Sequence, residues 1–351
     1  MHSIPLLETG HNVLFPPLPN EIFLCVLDEL VKSRNGQQPI AHKPNGPITK
    51  ALRALTLTSR RIYPVASQYL YARCLFLGDY ISFSCFRRTF GLPLGYNHPV
   101  SLDYGEAGRN QTLFESAHIP QHFSSLFISP ARRDEQHTPL LRLPEVIDLC
   151  EVVGSNLKRL VLDLLPVYSV SSELRSLNIQ KRLFSSMVVL EELVVSYDVM
   201  DFFPAVPPKV CRLAVTTQGI DDALLDWALS MPLLETFMIL RSPDMNRDDV
   251  EKIFAQCPTP RAKPLDVVLG DVSSSHCTPE GTREWKDEDI VRFWEIDVPT
   301  ICYGDESDLV ICDAWIWEQA VAGTLFKKEK RRMLSWPEAK ARLVALHLLQ
   351  A

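Results

Sequence analysis

The strongest constraint in this chain is a spacing that recurs from residue 123 onward: apolar, two variable residues, apolar, one variable, apolar. It fits Phe123/Leu126/Ile128, Leu157/Leu160/Leu162, Leu190/Leu193/Val195, Val210/Leu213/Val215 and Leu234/Phe237/Ile239. Weaker matches follow at Val267/Leu269 and at Val291/Trp294/Ile296. Side chains in a strand alternate between two faces, so apolar residues two apart mark one buried face. The central positions lie 34, 33, 20, 24, 30 and 27 residues apart, which leaves room for a helix between most pairs.

Those helices are written in the sequence. "LPEVIDLCEVVG" places Val146, Leu149, Cys150 and Val153 on one face, with Pro144 early and Gly154 as a stop. "NRDDVEKIFAQC" does the same with Val250, Ile253, Phe254 and Cys257, and Asn246 stands at the cap position. "DDALLDWALSM" carries Leu224, Leu225, Ala228 and Leu229. A repeating helix–strand unit that cannot bury its apolar faces alone stacks into a solenoid. In such a stack the alternate side chains would line one concave surface: Arg159, Val161 and Asp163; Glu192, Val194 and Ser196; Arg212, Ala214 and Thr216; Thr236, Met238 and Leu240. Arg159 and Arg212 could each grip a carboxylate or phosphate in two-pronged fashion. Met238 and Leu240 are large for outward positions, so they mark either a contact site or a surface covered by the tail helices.

The N-terminal part obeys a different rule. "FPPLPNEIFLCVLDELVK", residues 15–32, is apolar almost all round, with Pro19 at the first helical position. Breakers fill residues 33–47, which read as a long polar loop that could be shortened at little cost. Apolar periodicity resumes at Leu52, Leu55 and Leu57, and again through "SRRIYPVASQYLY", with Ser59 as its cap. Three short helices bury too little by themselves, so one face of the first helix is expected to need a second protein.

"LPNEI" followed by "VLDEL" and "LRALTLTSRRIYPVASQYLY" resembles an F-box, over residues 15–76. The region after 123 looks like degenerate leucine-rich repeats without the usual closing asparagine. The whole is similar to fungal F-box proteins with a repeat-like C-terminal region. The resemblance implies a mixed α/β chain. Its parts would be an N-terminal tail (1–14), a three-helix F-box (15–76), a linker (77–122), an irregular repeat solenoid (123–297) and a helical C-terminal cap (298–351). It also implies docking on a Skp-family adaptor, and through it a cullin, by Leu18, Pro19, Ile22, Leu27, Leu30, Leu55, Leu57 and Tyr63. The target protein would sit on Arg159, Asp163, Glu192, Arg212, Met238 and Leu240. The chain would thus be a non-catalytic substrate receptor of a ubiquitin ligase, cytoplasmic or nuclear. The competing reading is a repeat scaffold that recruits no ligase.

Charge and motifs narrow the remaining classes. Net charge is −7 with a pI near 5.8, so there is no basic field for nucleic acid or an anionic membrane. No apolar run reaches the length of about 18 residues that spans a bilayer, and the opening "MHSIPLLETG" does not read as a secretory leader. The nine cysteines form no Cys-x-x-Cys pair and read as free thiols. No phosphate loop, nucleophile elbow or His-Glu-x-x-His is present, so no catalytic residue or cofactor is expected. His118 and His122 have Pro120 between them and no third ligand nearby, so no metal is expected either. "KKEKRR", 327–332, reads as a charged connector between two tail helices.

Overall fold

The computed structural model describes residues 19–32, 38–92, 119–129, 143–164, 183–184, 186–196, 199–200, 203–217, 219–241, 245–257, 263–271, 277–283, 285–299 and 308–346. Three helices come first: α1 (Asn20–Val31), α2 (Pro47–Thr56) and α3 (Tyr63–Arg73). Each has a proline at or just before its first turn, where the missing N–H costs no hydrogen bond. Strand β1 (Phe76–Leu77) and helix α4 (Tyr80–Thr89) follow. Then come β2 (Ser125–Ile128), α5 (Leu143–Val153), β3 (Arg159–Leu162), β4 (Glu192–Ser196) and β5 (Arg212–Thr216). The chain continues through α6 (Asp222–Leu229), β6 (Thr236–Leu240), α7 (Arg247–Gln256), β7 (Leu265–Asp271) and β8 (Val291–Asp297). It ends with α8 (Asp308–Ala322), β9 (Arg331–Arg332) and α9 (Trp336–Ala345).

Among the described residues the fold is mixed α/β, built on one nine-stranded sheet whose spatial order is the order of the sequence. Strands β1 to β8 are parallel, and β9 closes the far edge antiparallel to β8. The apolar spacing explains the first face. Leu126, Leu160, Leu193, Leu213, Phe237 and Val267 sit in one row, fully covered, and pack against α5, α6 and α7. Helix α7 starts where the sequence expects, whereas α3 starts at Tyr63, with Ile62 and not Ser59 at its cap position. Asn246 and Asp249 form a reciprocal capping box on α7, and Asp221 caps α6.

One strand slips by a residue. In β8, Phe293 pairs with Val267, so Val291 and Phe293 face the helices while Trp294 and Ile296 point to the other side. The spacing had placed Trp294 inward; alternation with period two makes such a slip reverse every side chain of the strand.

The second face is covered as well. Phe127, Val161, Val194, Ala214, Met238, Leu240, Val268 and Ile296 form a second core with Ile40, Ala41 and the α8 residues Cys312, Ile316, Trp317, Ala320 and Val321. So α8 lies across the sheet and is not an end cap. Residues 38–42 are no free loop: the Ile40 N–H donates to the Val321 carbonyl at 2.8 Å, and the His42 N–H to the Arg73 carbonyl at 2.8 Å. Ser125 Oγ donates to the Ile40 carbonyl at 2.7 Å, tying this segment to β2. A sheet buried on both faces shows near-continuous apolar strands, as here.

The stretch expected to be a linker contributes too. Helix α4 buries Phe83 and Phe86 in the first core, capped by Asp79, and its buried Arg87 faces Glu145 and Asp148 of α5. The basic connector is also structural. Lys330 reaches Asp266 at 3.1 Å, Arg331 reaches Asp297 at 2.6 Å, and Arg332 pairs with Glu338 beyond it.

Candidate functional site

Two surfaces are built from the residues that the sequence singled out. The first is the outer face of α1. Phe23, Leu27, Leu30 and Val31 turn toward α2 and α3 and share a small core with Leu52, Leu55, Val65, Tyr69 and Leu70. Tyr69 Oη donates to the Asp28 carboxylate at 2.6 Å, and burial together with that carboxylate pushes the phenol up to about 12. On the opposite side Ile22 and Val26 are 50% and 54% exposed, one helical turn apart. Cys25 beside them is a free thiol and is exposed too. Leu57, just past α2, is 87% exposed.

The residues assigned to adaptor docking therefore divide. Pro19, Ile22 and Leu57 are exposed, while Leu30 and Leu55 are half-buried in the small core. Leu27 is wholly internal and cannot reach a partner, while Tyr63 is half-buried against the large core. Leu18 lies outside the described residues.

The second surface is a row of polar side chains at the start of the strands. Parallel register aligns Ser125, Arg159, Glu192, Arg212, Thr236, Asp266 and Arg292, one from each of β2 to β8. Glu192 is nearly buried and holds both arginines. Arg159 Nε stands 3.4 Å from one carboxylate oxygen, and Arg212 Nε and Nη2 donate to the other at 3.2 and 3.1 Å. Further along, Asp266 accepts from Arg292 Nε at 2.8 Å, Trp294 Nε1 at 3.0 Å and Lys330 Nζ at 3.1 Å. That second cluster is saturated by its own partners.

The first cluster is not, and it opens into a cleft of about 360 Å³ between the row and the end of α8. Gln38, Arg159, Glu192 and Arg212 form one wall, and Gly323, Phe326 and Lys327 form the other. Arg159 Nη1 donates to the Gln38 carbonyl at 2.8 Å. Gly323 has φ +69°, and a Cβ there would meet Arg159 Nη2 and the Gln38 carbonyl at 2.5 Å. The close approach of the two walls thus depends on that glycine.

The other residues assigned to target binding are not available. Met238 and Leu240 are covered completely by α8, and Asp163 is fully buried, accepting from Ser129 Oγ at 2.8 Å. Only the arginines and the rim around Glu192 keep contact with solvent. Alternation does predict which face these side chains take; it says nothing of what lies on top. Lys327 and Phe326 joined the site unannounced, because a basic connector and a helix terminus carry no sequence mark of convergence on a distant strand.

Among the described residues no group of three or more His, Cys, Asp and Glu side chains could hold a metal, and no helix is long and apolar enough to cross a membrane. His118 lies outside the described residues. Compared with protein-family models, with curated proteins and with solved structures, the chain matches none.

Proposed function

We propose that this chain is the substrate-receptor subunit of a Skp–cullin–F-box ubiquitin ligase. Helices α1 to α3 dock on the Skp-family adaptor, and the sheet region holds the target protein. The chain carries out no bond chemistry in this reading; it places a target lysine close to the charged ubiquitin carrier. The observation that carries the reading is the pair Ile22 and Val26, apolar and half exposed on a helix whose other face already fills its own core. The sequential parallel strands support the finer picture of an irregular, leucine-rich-repeat-like solenoid. A cytoplasmic or nuclear location belongs to the same proposal.

The test is Ile22→Glu with Val26→Glu in the full chain, purified from its own host. Wild type is expected to bring down a Skp-family adaptor. Truncating a central anchor of an interface costs about 2 kcal/mol or more, over tenfold in affinity, and a buried charge costs more. The double variant should therefore lose the adaptor while it melts like wild type. Adaptor recovery at wild-type strength from the variant overturns the docking face. Absence of any adaptor from the wild-type sample leaves a scaffold that recruits no ligase.

A further inference from the structure

We infer that the cleft between the β3–β5 strand starts and the end of α8 binds a phosphate monoester. The inference goes beyond the receptor reading and needs only the cleft. Its lining holds three cationic side chains, Arg159, Arg212 and Lys327, against the single carboxylate of Glu192. Two positive charges are left over. A phosphate monoester carries about −1.5 to −2 at neutral pH and matches that surplus, whereas a carboxylate neutralises half of it.

The donors are also sorted for the purpose. Glu192 and the Gln38 carbonyl occupy Arg159 on all three of its nitrogens. Arg212 gives Nε and Nη2 to Glu192, which leaves Nη1 without a partner among the described residues. Its side chain is 40% exposed, and Glu192 fixes the plane in which the free edge points. Lys327 is exposed, has no ion pair among the described residues, and reaches the same cleft from the opposite wall. A tetrahedral group with several acceptor oxygens satisfies donors that converge from two sides, and charge-assisted bonds of this type are the strong ones. Phe326 gives an apolar wall for the organic part of the ester. The saturated Asp266 cluster, on the same row, lacks both the free donors and the opening.

The source of the ester is either a phosphorylated side chain of a protein or a small phosphorylated metabolite. The experiment titrates the full chain, at constant ionic strength in chloride, with O-phosphoserine, inorganic phosphate and unmodified serine, followed by calorimetry. O-Phosphoserine and phosphate are expected to bind and serine is not. Lys327→Ala and Arg212→Gln should each weaken the binding about tenfold, the scale of one charge-assisted hydrogen bond, and Lys327→Ala should do so with unchanged melting. Lys327 is a surface residue, so its variant carries the test even where Arg212→Gln perturbs the strand. Phosphoserine peptides that bind at least tenfold better than the free amino acid support the site and identify a protein source. A plateau at the affinity of the free ester supports it and identifies a small molecule. Equal heats for phosphoserine and serine overturn the assignment, and so does an affinity that Lys327→Ala leaves unchanged.

Discussion

The helical unit α1–α3 closes its own core on three buried apolar residues, Leu27, Val31 and Leu52, and leaves Ile22, Val26 and Leu57 in solvent. The nine-stranded sheet does the reverse: it buries apolar side chains on both faces, and even its outward row of Val161, Val194, Ala214 and Met238 is covered. The difference follows from size. A short helix has a circumference that two neighbours cannot enclose, while a wide sheet needs only one long helix and a strap to finish its second face. Exposed apolar surface in the small unit is thus surplus available to a partner. On the strands only Phe76 and Trp294 are partly open among the described apolar residues, and the cleft lies at the polar row of the strand starts.

The comparison breaks first where the second face is unloaded. Trp317 and Ile40 are both buried between α8 and the sheet. Trp317→Ala should cost about 3–5 kcal/mol, and Ile40→Ala about 2–5 kcal/mol, the usual range for truncated core side chains. Thermal or urea unfolding checks both. Ile40 is the sharper case, since the sequence alone makes it part of a dispensable loop. A variant shortened through residues 38–42 should unfold well below wild type, and an unchanged midpoint would return that segment to the surface.

That misreading shows what was legible and what was not. The inward rows were, because Leu126, Leu160, Leu193, Leu213 and Phe237 repeat a spacing that only one face of a strand explains. The capping of α7 by Asn246 was local chemistry and equally plain. The cover on the second face was not. It depends on α8 and on Ile40, which lie outside the repeating spacing and at opposite ends of the chain, and proline and glycine around Ile40 gave it the look of a linker. The large side chains of Met238 and Leu240 were the one signal, and they fit a covered face as well as a contact site. The cleft was half legible: Arg159 and Arg212 stood out by type. Glu192 as their clamp depends on register between strands 33 and 20 residues apart.

The joint between the two regions gives a prediction of intermediate size. The His42 main chain bonds to the end of α3, and its ring meets the Val31 carbonyl at the end of α1. Burial pushes the imidazole below its ordinary value and the nearby Arg73 charge adds to that; the bond to Val31 opposes it only in part. Nε2 has no hydrogen-bond partner among the described residues. The folded form therefore binds a proton less readily than the unfolded chain. Stability from this group is fully present above about pH 6.5 and is lost as the pH falls below it, toward the depressed value. Melting temperature followed between neutral and mildly acidic pH should fall more for wild type than for His42→Gln. Parallel curves would show that the joint does not titrate.

The smallest effect is expected where the small unit is bare. Replacing Ile22 and Val26 by serine removes no contact with Leu27, Val31 or Leu52, because the two side chains lie on the far side of α1. Serine forms helix about as well as isoleucine and valine, and surface changes of this type usually stay within about 0.5 kcal/mol. The isolated chain should accordingly melt at its wild-type temperature, with better solubility as apolar surface is withdrawn. Leu27→Ala, the next residue along but on the inner face of the same helix, should cost about 2–5 kcal/mol. The contrast within a single helix is the point of the measurement. Equal losses from both faces would mean that Ile22 and Val26 already have a partner inside this chain, and the argument that they await one from outside would lose its footing.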